Sequence, residues 1–146
     1  MEITKYTGKD TELVIPAEIE GLPVTGIGAF AFLECRSLTN ISLPSGITYI
    51  GSAAFSWCVN LTEINIPLGV TSIGANAFSE CHSLTDILLP SGITSIGDGA
   101  FAQCVNLTDI IIPYGVTTIP YRTFSCCTSL TSISIPDSVT RIDGYA

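Results

Sequence analysis

Residues 61–83 read L-T-E-I-N-I-P-L-G-V-T-S-I-G-A-N-A-F-S-E-C-H-S, and the same order of residue types returns on either side at a spacing of 23. Leucines stand at Leu38, Leu61, Leu84, Leu107 and Leu130, prolines at Pro44, Pro67, Pro90, Pro113 and Pro136, and cysteines at Cys35, Cys58, Cys81, Cys104 and Cys127. A fixed period of this length means stacked units, each adding one coil to a superhelix.

Counted from its leucine, each unit divides into three pieces. In L-x-x-I-x-I, as in Leu61, Ile64 and Ile66, the last two apolar residues are two apart and share one face of an extended strand. Proline at position 7 has no N–H to give to a ladder and ends the strand. The glycine two residues later (Gly46, Gly69, Gly92, Gly115) suits a turn with positive φ, with Ser138 in its place in the last unit. The following V-T-x-I predicts a second short extended segment. Finally A-F-x-x-C, as in Ala77, Phe78 and Cys81, has the spacing of one helical turn facing inward. At position 14 glycine gives way to Pro120 and Asp143, and proline has no access to positive φ, so the glycines there are read as serving close packing.

A single unit does not stand alone. Its roughly eight inward side chains give a gross gain on the order of 10 to 20 kcal/mol, while ordering its backbone and side chains costs at least as much. The expected fold is therefore a repeat solenoid, mainly β. A parallel sheet lines one face, and short extended, 3-10 or single-turn helical segments line the other. Residues 1–37 are expected to form an irregular N-terminal repeat or cap, because Ala17 to Pro23 puts seven residues where later units have two. Residues 38–129 make four regular repeats and 130–146 a truncated fifth, whose cut end suggests a fragment of a longer array and end-to-end self-association there.

The repeated L-T-x-I-x-I-P-x-G-V-T-x-I-G-x-x-A-F-x-x-C resembles the BspA-like, or Treponema-type, leucine-rich repeat over nearly the whole chain, Leu13 to Ala146. The extended first unit, T-E-L-V-I-P-A-E-I-E-G-L-P-V-T-G-I-G, resembles the way such arrays begin. The resemblance implies a leucine-rich-repeat superhelix in a bacterial or protist surface or secreted protein, some members of the family acting as adhesins. For activity the resemblance is weakly specific; no catalytic activity and no cofactor are expected because the residues show no phosphate loop, dinucleotide fingerprint or catalytic carboxylate pair apart from the repeat. Position 9 carries glycine or serine where commoner leucine-rich repeats have an asparagine ladder, so ligand binding by those relatives does not transfer. A fold by itself does not fix a function.

Composition removes several classes of function. The chain has 13 acidic and 5 basic residues, a net charge of −8, and no Lys or Arg between Arg36 and Arg122. Nucleic acid and anionic membrane surfaces both require cations, and the middle of the chain offers none. No run approaches the roughly 18 apolar residues of a membrane span, so direct membrane insertion is not expected. The N-terminal MEITKYTGKDTE lacks the profile of a secretory signal, and an extracellular or cell-surface location rests on the resemblance alone.

Candidate chemistry mostly dissolves into the repeat. Five of the six cysteines share one inward position and are read as a column of buried, reduced thiols, with Cys126 outside it, exposed and a candidate free thiol. There is no C-x-x-C pair and His82 is the one histidine, which argues against zinc and against a nucleophile–histidine pair; His82 is read as a solvated loop residue. The N-x-[ST] triplets at Asn40, Asn60 and Asn106 are generated by the period.

The exposed strand positions carry the better signal. Position 3 holds Asn40, Glu63, Asp86, Asp109 and Ser132; position 5 holds Ser42, Asn65, Leu88, Ile111 and Ser134; position 8 holds Ser45, Leu68, Ser91, Tyr114 and Asp137. With coils about 4.8 Å apart, Leu68, Leu88, Ile111 and Tyr114 form an apolar strip bordered by Glu63, Asp86 and Asp109, the candidate binding site for a protein or glycan partner. Drift at exposed positions explains the same columns, in which case the array is a spacer or stalk carrying another domain, or a targeting segment for an enzyme elsewhere in a larger protein. The acidic column alone supplies too few oxygens for calcium.

Overall fold

The computed structural model describes residues 1–146, which form a solenoid without any helix. The regular coils contribute two short strands and a turn-rich third side, except the Leu84 coil, which has only Ser95–Ile96. On the first side the strands at Asn40–Ser42 and Glu63–Asn65 run parallel, with Ile41 opposite Ile64 one repeat along. On the second, Tyr49–Ile50 and Ser72–Ile73 pair likewise. Leucine, isoleucine, valine, alanine, phenylalanine and cysteine from Ile15 to Phe124 merge into one continuous cluster of 34 buried residues, against which the half-buried Leu130 and Val139 of the last coil pack.

The third side explains why A-F-x-x-C does not become a helix. The N–H groups of Ala54, Ser56 and Cys58 close turns onto carbonyls three residues back in their own coil, at 3.2–3.3 Å. Those of Ala53, Phe55 and Trp57 donate instead to Ala75, Ala77 and Ser79 of the next coil, at 2.8–2.9 Å. A helix would keep every N–H inside its own coil, whereas alternating them ties each coil to the next. The geometry places positions 16 and 20 in the left-handed region, as at Ala53 (φ 52°) and Trp57 (φ 62°). Hydrogen bonds between coils on this side run from one coil to the next, whereas the strand sides also carry bonds that run back, such as Thr71 N–H to Thr48 oxygen at 2.9 Å.

The Phe column stacks. Phe32, Phe55, Phe78, Phe101 and Phe124 lie with ring centroids 5.1–5.7 Å apart and planes within 5° of parallel, and Tyr6 continues the series at 5.4 Å from Phe32. Offset aromatic contacts of this kind add to the burial gain. The cysteine column is indeed interior, with Cys58, Cys81 and Cys104 fully buried. Each of these thiols also donates to the phenylalanine carbonyl of the preceding coil, Cys81 Sγ to Phe55 oxygen at 3.2 Å.

Threonine takes the place of an asparagine ladder. At position 11 the hydroxyls of Thr48, Thr71 and Thr94 each donate to the carbonyl of the threonine one coil back, at 3.0–3.4 Å. At position 2, Thr39, Thr62, Thr108 and Thr131 do the same on the other strand side, at 2.8–3.3 Å. These two lines of polar contact flank the core without burying an unpaired group.

The glycine readings divide. At position 14, a Cβ on Gly51 would lie 2.6 Å from the Ala29 nitrogen and the Gly28 carbonyl carbon, so this glycine is there for close approach. The expectation of positive φ at position 9 is corrected. Only Gly21 and Gly99 among the glycines have it, and a Cβ on Gly46 or Gly115 would meet the carbonyl oxygen of Val24 or Ile93 at 3.0 and 2.6 Å. Close packing governs both positions, and Ser138 fits because its hydroxyl donates to the Val116 carbonyl at 3.0 Å.

The irregular first unit holds its extra residues in a two-residue hairpin, Glu18–Ile19 against Leu22–Pro23, turning on Glu20 and Gly21 at φ 52° and 76°. Ahead of it, Glu2–Ile3 pairs parallel with Gly26–Ile27, adding a strand to the second side.

Candidate interaction surface

Of the seven residues singled out from the sequence, Glu63, Asp109 and Ile111 lie in strands of the first side and Asp86 and Leu88 at the same repeat positions, while Leu68 and Tyr114 sit in the turns that follow Glu63–Asn65 and Asp109–Ile111. Leu68, Leu88, Ile111 and Tyr114 are 84%, 74%, 62% and 75% exposed, which places them among the most exposed large apolar side chains in the molecule. Glu63, Asp86 and Asp109 are exposed beside them. The residues between, Ile64, Ile87 and Ile110, turn inward and are buried, so the alternation of a half-buried strand fixes which side chains reach solvent.

Asp86 to Leu89 conform to the repeat and themselves give no warning of the break in this side. Strands Glu12–Val14, Asn40–Ser42 and Glu63–Asn65 form one sheet and Asp109–Ile111 with Ser132–Ser134 another, and residues 86–88 belong to neither. Residues 86–89 take part in no backbone–backbone hydrogen bond. The Thr85 hydroxyl has left the ladder, donating to Asp86 Oδ2 at 3.3 Å, and the Thr108 hydroxyl reaches Asp109 Oδ2 at 3.0 Å as well as the Thr85 carbonyl.

A second interruption lies behind the same junction. At position 14 the N–H groups of Gly51, Gly74, Gly97 and Asp143 donate to the isoleucine carbonyl one coil back, at 2.7–2.9 Å. Pro120 has no N–H to give, and Ser95–Ile96 and Thr118–Ile119 lie in separate sheets. Beside Pro120, the fully buried Thr123 satisfies its hydroxyl on the Pro120 carbonyl at 2.7 Å.

Between the Leu84 and Leu107 coils the opening is a cleft of about 120 Å³, lined by Asp86, Ile87, Leu88, Leu89, Asp109, Ile110 and Ile111. Four of the seven sequence-derived residues, Asp86, Leu88, Asp109 and Ile111, line it. Glu63, Leu68 and Tyr114 lie outside, and Leu68 and Tyr114 are two coils apart with Ser91 between. The chain's ion pairs are elsewhere, at Glu34–Arg36, Glu80–His82 and Asp143–Arg141, so the three border carboxylates face solvent without a cation.

Other candidates settle into structural roles. The His82 ring nitrogen is 2.8 Å from Glu80 Oε2, in a turn beside Trp57. The side-chain amides of Asn60 and Asn106 donate to the Arg36 and His82 carbonyls at 2.7 Å, bracing one coil on another. Cys126 is exposed and Cys35 half-buried. Burial pushes the Cys58 thiol up to about 12 and Cys127 up to about 11, and raises Cys81 and Cys104 as well.

Comparison with known proteins agrees with this architecture. Residues 25–146 match six copies of the family model described as BspA type leucine rich repeat region. No curated protein sequence matches. Among solved structures, the T. pallidum leucine rich repeat protein is 33% identical over 97% of this chain and 77% of its own, with a TM-score of 0.82. A leucine rich cell surface protein from Faecalibacterium prausnitzii is 39% identical over 97% of this chain, with a TM-score of 0.88, and a leucine-rich repeat protein from Bacteroides ovatus is 30% identical over 91%, at 0.68. The chain spans 40% and 39% of those last two proteins. With the repeat, the inward columns and the coil-to-coil pairing all in agreement, this chain belongs to the BspA-type leucine-rich repeat family.

Proposed function

We propose that the chain is a non-catalytic interaction module that binds a protein partner through the strand side of its Leu61, Leu84 and Leu107 coils, in an adhesin-like role at a cell surface. One observation carries the reading. The exposed apolar side chains Leu88 and Ile111 line the cleft into which the backbone pairing of the strand side opens, and Leu68 and Tyr114 stand exposed in the turns after the neighbouring strands. Contiguous apolar surface with a polar rim is the usual anatomy of a protein interface. A protein suits the strip better than a glycan, because Leu68, Leu88 and Ile111 have nothing to offer a sugar's hydroxyls. The cell-surface setting draws support from the F. prausnitzii relative, which is described as a cell surface protein.

The test is selection against a random-peptide display library and, separately, an arrayed set of glycans, with Leu88→Ser/Ile111→Ser as the paired target. The reading expects displayed peptides that bind the native chain and lose about tenfold or more of their affinity for the double variant. Patch-dependent binding of glycans alone replaces protein by glycan as the partner. Ligands indifferent to both substitutions, or none at all, leave the array as a spacer.

A further inference from the structure

We infer that the cleft between the Leu84 and Leu107 coils is a socket for a single arginine side chain of the partner; this rests on the strand-side reading above and sharpens it. Size sets the first limit. At about 120 Å³ the cleft is well below the roughly 300–1,000 Å³ of small-molecule sites, and it suits one long side chain.

Its walls set the second. Ile87, Leu88, Leu89, Ile110 and Ile111 give an apolar lining, and Asp86 and Asp109 put a carboxylate on each of the two coils. Threonine hydroxyls hold both carboxylates in place, Thr85 on Asp86 and Thr108 on Asp109. The backbone carbonyls of residues 86–89 accept no backbone hydrogen bond. The N–H groups there are unpaired as well, so the backbone offers donors and acceptors alike, and the site's character is set by its apolar channel and its two carboxylates. Arginine is the side chain with the matching pattern: an apolar stem, a permanent positive charge, a planar fork of N–H donors and no acceptor. A carboxylate side chain would meet like charge, and a neutral aliphatic one would leave Asp86, Asp109 and the open carbonyls unanswered.

The chain has no arginine of its own to fill the cleft. No Lys or Arg occurs between Arg36 and Arg122. Arg36 is engaged with Glu34 at 3.5 Å and lies over the Trp57 ring, and Arg122 stacks 5.1 Å over Tyr121. A buried arginine anchor surrounded by apolar contact is a common centre of binding energy in protein interfaces, and here Leu88 and Ile111 supply that contact.

The experiment is a chemical-shift titration of the native chain with three short blocked peptides that differ at one central position: arginine, its neutral isostere citrulline, and norleucine. The socket predicts saturable shifts confined to amides of residues 86–89 and 109–111 with the arginine peptide. Affinity should fall about tenfold or more for citrulline and norleucine, and equally when Asp86→Asn/Asp109→Asn is titrated with arginine. If norleucine or citrulline moves the same amides as strongly as arginine does, the guanidinium preference is overturned while the strand side remains a binding surface. Shifts scattered over every acidic region, or none in the cleft with any peptide, overturn the socket; the display selection separately decides whether the surface binds at all.

Discussion

The thiol of Cys81 donates to the carbonyl oxygen of Phe55, 26 residues earlier, at 3.2 Å. The same contact recurs from Cys58 to Phe32, Cys104 to Phe78 and Cys127 to Phe101. The family's cysteine is therefore a packing residue that also closes a hydrogen bond between coils, and its chemistry follows from that.

Thiol reactivity separates the six cysteines. The nucleophile is the thiolate, and burial raises the pKa of Cys35, Cys58, Cys81, Cys104 and Cys127. With a chromogenic disulfide reagent at mildly alkaline pH, the folded chain should release one rapid equivalent, from Cys126. Cys126→Ser should remove it. The remaining thiols should react slowly, or only after unfolding.

The same shifts make stability fall on the alkaline side. A thiol whose folded pKa is raised holds its proton in the native state while the unfolded chain loses it, so between the two pKa values the native state binds more protons than the unfolded chain and stability falls with pH. The stabilisation is complete below the ordinary thiol value near 9.0 and is lost as pH climbs from there towards about 12, the folded value for Cys58. Each fully buried thiol contributes a slope of about 1.4 kcal/mol per pH unit in that interval. Urea midpoints measured between neutral and strongly alkaline pH check this, and Cys81→Ala should flatten the slope.

Two glycines predict opposite tolerance. Gly51→Ala drives a methyl to 2.6 Å from the Ala29 nitrogen, backbone that has nowhere to move, and should cost about 3 kcal/mol. Gly99→Ala meets only the end of the Asn76 side chain, at a position where Ala53 already accepts φ 52°, and should cost about 1 kcal/mol. Thermal denaturation of the two variants distinguishes them.

Core and strip substitutions should also diverge. Phe78 is fully buried between Phe55 and Phe101, so Phe78→Ala should destabilise by about 3–5 kcal/mol. Leu88, 74% exposed, should tolerate Leu88→Ser within about 0.5 kcal/mol. Chemical denaturation followed by circular dichroism reads both.

The period at Leu38, Leu61 and Leu84 dictates the stacking, and the alternation in L-x-x-I-x-I dictates which side chains face out, so the fold and the position of the strip are readable from residue order. Other features are not. A-F-x-x-C has helical spacing, but whether Phe55 gives its N–H to its own coil or the next depends on the neighbour. The left-handed positions, filled by Phe30, Ala53, Asn76 and Arg122, show no preference for glycine that would announce them. Two further features do leave a mark in residue order. The threonines of L-T and V-T recur as faithfully as the leucines and form both ladders, and Glu2–Ile3 has the strand character that lets it pair with Gly26–Ile27. The opening at residues 86–89 has a partial signal in Pro120, whose missing N–H weakens the junction behind it, while Asp86 to Leu89 conform to the repeat and give no sign.

That opening is where the account is most exposed, and residue-resolved amide hydrogen exchange tests it directly. Thr62, Thr71 and Thr94 donate to the coil before them at 2.9–3.0 Å and should be protected. The amides of Ile87, Leu88 and Leu89, which have no backbone partner, should exchange about a hundredfold faster. Protection at residues 87–89 equal to that of Thr62 and Thr94 would mean the strand side is closed at the Leu84 coil, and would contradict the cleft on which the proposed interaction surface depends.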